Sequence, residues 1–75
     1  MAAEDLAREA VHLGEGADAP VNLGEAFLDL GSVLRERGRS REAASAFEAA
    51  LAQFERRDAV VLEGWARAAL AAVGP

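Results

Sequence analysis

The sequence predicts an all-α fold in which four helices form a stack of antiparallel hairpins. Its 75 residues include nineteen Ala, the strongest helix former, and lack Ile, Thr and Tyr, which are common in strands. Glycines, prolines or polar turns interrupt the chain at residues 14–20, 38–40, 57–58 and 74–75. Four helical segments remain, and a chain of this length predicts a single domain, residues 1–75.

The first two segments carry apolar residues at helical spacing. Helix one is predicted over about Ala2–Leu13, with an inward stripe of Ala3, Leu6, Ala7, Ala10, Val11 and Leu13. Helix two is predicted from Asp18, a candidate N-cap, to Arg37, with Pro20 in its first turn. Its inward stripe is Leu23, Phe27, Leu30, Gly31 and Leu34.

The connection at Gly38-Arg39 is very short, which predicts that helices two and three form an antiparallel hairpin. Ser40 is the expected N-cap of helix three, which runs to Arg57 with Ala43, Phe47, Ala50, Leu51 and Phe54 inward. Asp58 is expected to open helix four, which reaches Val73 with Val61, Trp65, Ala68, Ala69 and Ala72 inward.

The helices alternate between two types. A shift of 38 residues lays the stripe of helix two on that of helix four, with Phe27 on Trp65. A shift of 40 gives a weaker match between helices one and three, with Ala7 on Phe47. The predicted order is therefore B-A-B-A, with one complete A-B hairpin in the middle.

The central hairpin resembles a tetratricopeptide repeat (TPR). The matching words are Phe27-x2-Leu30-Gly31-x2-Leu34 on helix A and Ala43-x3-Phe47-x2-Ala50-Leu51 on helix B. The resemblance implies a TPR-like α-solenoid fragment, with a complete repeat over about 24–57 and half repeats at 1–19 and 58–75. Small residues would let the two helices cross closely, with large rings filling the space beside them. Glu55 stands where the family usually has Pro, which predicts a longer helix B.

The wording of residues 40–70 is also similar to the C-terminal repeats of large bacterial signal-transduction ATPases and transcriptional regulators. This resemblance implies a piece of a larger bacterial regulatory protein. Composition adds to the expectation of a cytoplasmic location, because Met1 leads into Glu4 and Asp5 rather than into a basic, then apolar, export signal. No stretch approaches the roughly 20 apolar residues of a membrane span.

The residues do not suggest an enzyme. The chain has no Cys, and its one imidazole, His12, has only Glu9 and Glu15 nearby, which is too few ligands for a metal site. The dipole at a helix C-terminus is the simpler reason for His12. Gly14-Glu15-Gly16 is too short for a phosphate loop. We therefore expect no catalytic, metal or cofactor site and no small-molecule substrate.

A protein or peptide is the expected partner. The resemblance implies a concave surface lined by helix A, which would carry Glu25, Leu28, Ser32, Arg35, Glu63, Ala66 and Leu70. The basic-and-Asn clamp that some family members use for a terminal carboxylate is missing. An apolar or mixed helix laid against Leu28 and Leu70 is therefore expected rather than an acidic peptide. The alternative is that a piece this short has no groove.

Self-association is a second expectation. Trp65 is the large anchor of helix four in the repeat register, and no helix B follows it to cover its surroundings. The residues expected to be left open, and thus to promote a homo-oligomer, are Val61, Leu62, Trp65 and Val73.

DNA binding is the alternative function. Arg35, Arg37, Arg39 and Arg41 surround Gly38, and this turn resembles that of a helix-turn-helix. The net charge of −5 argues against it, as do Glu42, Glu48 and Glu55 on the next helix, because they would repel phosphates. The favoured interpretation is that Arg35 and Arg37 stabilise the C-terminal end of helix two, and that Arg39 and Arg41 are solvated charges of the turn.

Overall fold

Four helices make up the described part of the chain. The computed structural model describes residues 3–15 and 20–73, and no strand occurs in these two ranges. The helices are α1 (Ala3–Glu15), α2 (Pro20–Glu36), α3 (Ser40–Arg56) and α4 (Val60–Val73). The prediction of an all-α chain with four helices is confirmed.

Each helix packs on the one that precedes or follows it. The main contacts are those of α1 with α2, α2 with α3, and α3 with α4, and the array measures 30 × 28 × 14 Å. Three-residue turns, 37–39 and 57–59, reverse the chain on either side of α3. Glu4 at the start of α1 reaches Arg37 and Arg39 beyond the end of α2, so these two helices are also antiparallel.

The contact between α2 and α3 is built from two glycine–phenylalanine pairs. A Cβ added to Gly31 would lie 2.5 Å from a ring carbon of Phe47, and one added to Gly24 would overlap the ring of Phe54. Both rings are almost fully buried. The pairs lie seven residues apart on both helices, which is two turns, so the same close contact repeats along the interface.

The residues of the TPR-like motif lie in the contact between α2 and α3. Leu30, Leu34, Ala43, Phe47 and Ala50 are buried, whereas Phe27 is half-buried. Sequence analysis missed the second pair, Gly24 with Phe54.

The two short turns share one hydrogen-bonding pattern. In the first, the N–H of Arg39 donates to the carbonyl of Leu34 and that of Gly38 to Arg35; in the second, Ala59 donates to Phe54 and Asp58 to Glu55. This is the Schellman motif, which needs a left-handed residue just after the helix. Gly38 has φ 77° and Asp58 has φ 52°.

The helix ends differ from expectation for that reason. Asp58 forms the left-handed turn residue, so α4 begins at Val60 rather than at Asp58. Ser40 is the first residue of α3, and the cap position belongs to Arg39, whose side chain makes no capping hydrogen bond. The expected cap of α2, Asp18, lies outside the described residues.

The inward face of α1 also differs. Ala7 and Val11 are buried, but Leu6 and Leu13 are 53% and 65% exposed. Gly14 lies inside the helix against Leu23. The remaining inward position near the start of the helix belongs to a carboxylate, Glu4, which makes ion pairs described below.

The largest correction concerns α4. Its buried side consists of Leu62, Ala66, Ala69, Leu70 and Val73, which pack on the core. Most of the predicted inward stripe, Val61, Trp65, Ala68 and Ala72, is exposed instead. A shift of 39 residues, placing Phe27 on Ala66 and Leu34 on Val73, matches the observed faces better than the shift of 38. Apolar residues occupy nearly every position of this helix, so its sequence does not fix one stripe.

Candidate protein-interaction groove

A groove of about 480 Å³ opens between α2 and α4, with α3 at its base. We call this the α2/α4 groove. Its size lies within the range of typical ligand sites. It is lined by Glu25, Leu28, Asp29, Ser32, Phe47, Leu62, Trp65 and Ala69.

The base of the groove is apolar. Leu28 packs against both clusters of the core, and Phe47 belongs to the core itself. Core packing therefore holds both side chains in place at the base of the groove. Leu62 and Ala69 continue this apolar surface on α4. Such a surface favours side chains such as Leu or Ala on an occupant.

One wall of the groove is acidic. Glu25 and Asp29 lie four residues apart on the exposed side of α2. Within the described ranges neither carboxylate forms an ion pair, whereas other acids such as Glu4, Glu42 and Glu55 do. Like charges at this helical spacing destabilise a helix by about 0.2–0.5 kcal/mol. A cation placed between them would remove that repulsion.

The opposite wall carries the only tryptophan of the chain. Trp65 lines the groove yet is 61% exposed. An indole ring offers a large apolar surface and attracts cations to its face. The groove therefore combines an apolar base, an acidic wall and an aromatic wall.

The predicted partner-binding residues divide between the two helices. Glu25, Leu28 and Ser32 of the predicted set line the α2/α4 groove. On α4 the lining positions are Leu62, Trp65 and Ala69, each one residue before the predicted Glu63, Ala66 and Leu70.

The physical reason is the rotation of α4. Ala66 has no exposed surface and packs on Phe54, while Leu70 packs on the main core cluster. The side chain of Glu63 forms an ion pair with Arg67 instead, with 3.6 Å between its Oε1 and a guanidinium nitrogen. Arg35 is exposed and does not line the groove.

Asp29 and Ala69 also line the groove and were not predicted from the sequence. The signal for Asp29 was available, because it follows Glu25 by four residues and hence shares its face. Leu62 and Trp65 were predicted for self-association rather than for this surface. Of the other two residues in that prediction, Val61 is 68% exposed and Val73 packs partly against the core.

The arginine-rich turn is engaged within the chain. Glu4 accepts hydrogen bonds from Arg8 at 3.0 Å and from Arg39 at 2.9 Å, and its Oε1 lies 3.9 Å from Nε of Arg37. Glu42 accepts from Arg8 at 3.2 Å. The hydrogen bond from Arg8, followed by the positive charges of Arg39, Arg8 and Arg37, lowers the pKa of Glu4 below its usual value.

A smaller cavity of about 280 Å³ lies on the α1 side of the hairpin. Arg8 and Glu42 line it, and they pair with each other. Its charged groups are thus satisfied inside the chain, in contrast to the acidic wall of the α2/α4 groove. The groove is the better candidate for an external partner.

His12 lies exposed near the end of α1. Among residues 3–15 and 20–73, no three His, Cys, Asp or Glu side chains lie close enough together to hold a metal ion. None of the helices in the same ranges is long and apolar enough to cross a bilayer.

Comparison with known proteins gives no relative. No protein-family model, no curated protein and no solved structure matches this chain. Membership of the TPR family therefore stays a prediction from the sequence motif of the central hairpin.

Proposed function

We propose that this chain is a non-enzymatic protein-interaction module of the TPR type. Its α2/α4 groove would bind a helical or extended segment with apolar and basic side chains. The proposal depends on one observation: a single groove combines an apolar base, the exposed Trp65 and two carboxylates that form no ion pair with any described residue.

Charge complementarity selects the occupant. An Arg or Lys side chain could reach Glu25 and Asp29 while its aliphatic stem lies on Leu28. The same cation could stack on Trp65 across the groove. An acidic segment would meet two like charges, which costs affinity and slows association. A basic segment is also attracted from a distance by the net charge of −5.

The DNA-binding alternative receives less support. Two of the four arginines in the turn, Arg37 and Arg39, already face Glu4. A phosphate bound there would compete with Glu4 for these guanidinium groups and would be repelled by its carboxylate, which weakens the attraction of this patch for nucleic acid. Arg35 and Arg41 alone would give few phosphate contacts.

The resemblance to the C-terminal repeats of bacterial signal-transduction ATPases and transcriptional regulators supports a wider role. We propose that the module serves within a larger cytoplasmic regulatory protein, where it recognises a segment of another protein. The groove supplies the means for such recognition, and the resemblance supplies the context.

Fluorescence of Trp65 tests the groove directly, because this residue is the only tryptophan in the chain. The probe is a capped helical peptide of Ala, Leu and Arg, compared with the same peptide carrying Glu in place of every Arg. We expect the arginine peptide to shift the emission with saturation, and the glutamate peptide to bind at least roughly tenfold more weakly.

Charge reversal in the groove supplies the matched variant. Glu25→Lys with Asp29→Lys should reverse the preference between the two peptides. The control is Glu48→Lys, an exposed carboxylate on α3 that does not line the groove. Equal affinity for both peptides, or an equal loss of arginine-peptide binding in the control, would contradict the proposal.

A further inference from the structure

The outward side of α4 is apolar along its length. It consists of Val61, Gly64, Trp65, Ala68, Ala71 and Ala72, all exposed and none charged. We call this surface the α4 outer face. Its largest members, Val61 and Trp65, are 68% and 61% exposed.

The exposed sides of the other helices are charged. α1 exposes Asp5 and Glu9, α2 exposes Glu25, and α3 exposes Arg41 and Glu48. On α4 the exposed charged side chain is Arg67, which pairs with Glu63 and Glu55 to one side of the α4 outer face and leaves that face uncharged. An uncharged, apolar face of this length on an exposed helix is typical of an interaction surface. The α4 outer face therefore has the composition of an interface.

We infer that the α4 outer face binds the same face of a second copy of this chain, with the two α4 helices antiparallel about a two-fold axis. Val61, Trp65, Ala68 and Ala72 follow one another at spacings of four, three and four residues, which is the seam of a helical pair. An axis between positions 66 and 67 brings Trp65 opposite Ala68 of the second copy, and Val61 opposite its Ala72.

This register is self-complementary in size. Every large residue of the seam meets a small one, which is the condition for close packing of two helices. The same rule holds inside the chain, where the ring of Phe47 lies on Gly31 in the antiparallel α2–α3 contact. Gly64 lies beside the seam, and a Cβ added there would meet no atom within 4 Å.

Charge does not oppose the pairing. The only charged residues of α4 are Glu63 and Arg67, and they are paired with each other at 3.6 Å. Arg67 also reaches Glu55 on α3 at 3.1 Å, so both side chains point away from the seam. A dimer is therefore possible although each chain carries a net charge of −5. A single helix pair is a small interface, which predicts reversible association.

Solution mass over a dilution series tests the inference. Sedimentation equilibrium between about 5 and about 500 µM should show the mass rising from 7.8 kDa toward twice that value, as mass action requires. Ala68→Arg should keep the mass at 7.8 kDa throughout, with the helical circular dichroism of the unsubstituted chain, because Ala68 is exposed in each copy. Ala52→Arg on the exposed side of α3 is the control and should associate like the unsubstituted chain.

Cysteine pairing tests the antiparallel orientation, because the chain has no Cys of its own. A mixture of the variants Val61→Cys and Ala72→Cys should form the mixed disulfide far faster than Ala72→Cys pairs with itself. This readout does not depend on Ala68→Arg remaining folded.

Four results would overturn the inference. They are a constant mass of 7.8 kDa in the unsubstituted chain, association of Ala68→Arg like that of the unsubstituted chain, growth beyond twice the monomer mass, and faster self-pairing of Ala72→Cys. Trp65 belongs to both surfaces, whereas Ala68 does not line the α2/α4 groove, so the monomeric variant Ala68→Arg should still bind the arginine peptide. Failure of the dimer and failure of the groove are thereby distinguishable.

Discussion

The α2–α3 hairpin and α4 both place aromatic rings near small residues. In the hairpin the rings are buried against a neighbouring helix, whereas on α4 the ring is mostly exposed. In the hairpin, the rings of Phe47 and Phe54 lie on Gly31 and Gly24. On α4, Trp65 has small neighbours on its own helix, Gly64 and Ala68, but its ring is 61% exposed.

This difference separates stability from recognition. Rings buried on glycines contribute to folding, because the unfolded chain exposes them and the folded chain does not. An exposed ring contributes little to folding and remains available to a partner. The same type of substitution should therefore affect the free energy of unfolding differently in the hairpin and in α4.

The largest contrast is expected between the two kinds of aromatic residue. Phe47→Ala removes a ring that is 1% exposed and should cost about 3–5 kcal/mol, enough to unfold a domain this small. Trp65→Ala should cost less than about 1 kcal/mol, because most of that ring is already in water. Urea unfolding followed by circular dichroism at low micromolar concentration measures both, and equal losses would contradict the distinction.

Glycine-to-alanine substitutions sharpen the comparison with a change of one methyl group. Gly31→Ala should destabilise the fold by about 1–3 kcal/mol, since the buried ring of Phe47 cannot move aside. Gly64→Ala should stabilise it by about 0.5–1 kcal/mol, because the new methyl meets open space and Ala favours the helix. Denaturation midpoints of the two variants should move in opposite directions; a shared direction would mean that the α2–α3 contact is not as close as described.

The left-handed residues of the two Schellman turns, Gly38 and Asp58, allow a comparison with smaller expected effects. Gly38→Ala should cost about 1 kcal/mol, because Ala is strained at φ 77°. Asp58→Gly should stabilise by about 1 kcal/mol or less, because Gly adopts the left-handed conformation without strain. Thermal unfolding measures both shifts, and a loss of stability in Asp58→Gly would indicate that the Asp58 side chain contributes something the turn geometry does not explain.

The smallest effect concerns α1, which is attached partly by charge. The folded-state pKa of Glu4 lies below its usual value, so its ion pairs stabilise the fold at neutral pH. That contribution is lost as the pH falls through the folded-state pKa. Glu4→Gln should be less stable than the unsubstituted chain at neutral pH, and the gap should close in acid and shrink at high salt. A gap that stays constant with pH would exclude this role for Glu4.

The sequence predicts the hairpin well because its signals are specific. A glycine at position 31 and a phenylalanine at position 47 fit together because the ring needs the space that a side chain would fill. Gly38 marks the turn that joins their helices. By contrast, the rotation of α4 could not be predicted, because nearly every position is apolar and several stripes are equally plausible. The groove residues on α4 were misplaced by one position for the same reason.

Long-range charge explains the error on the inward face of α1. Glu4 faces inward because Arg37 and Arg39, more than thirty positions later, turn toward it. A pattern of apolar residues cannot reveal this, so Leu6 was assigned to the inward side although it is exposed. Tertiary contacts of this kind override local periodicity.

Amide hydrogen exchange at two protein concentrations tests the contrast between the hairpin and α4 most directly. At low concentration, we predict slow exchange in α2 and α3 near Gly31 and Phe47 and faster exchange in α4, because α4 is packed on one side only. At high concentration, exchange in α4 should slow by a larger factor than exchange in the hairpin, because the dimer covers α4 and suppresses its local opening as well as global unfolding. Equal protection of α3 and α4 at both concentrations would contradict the account.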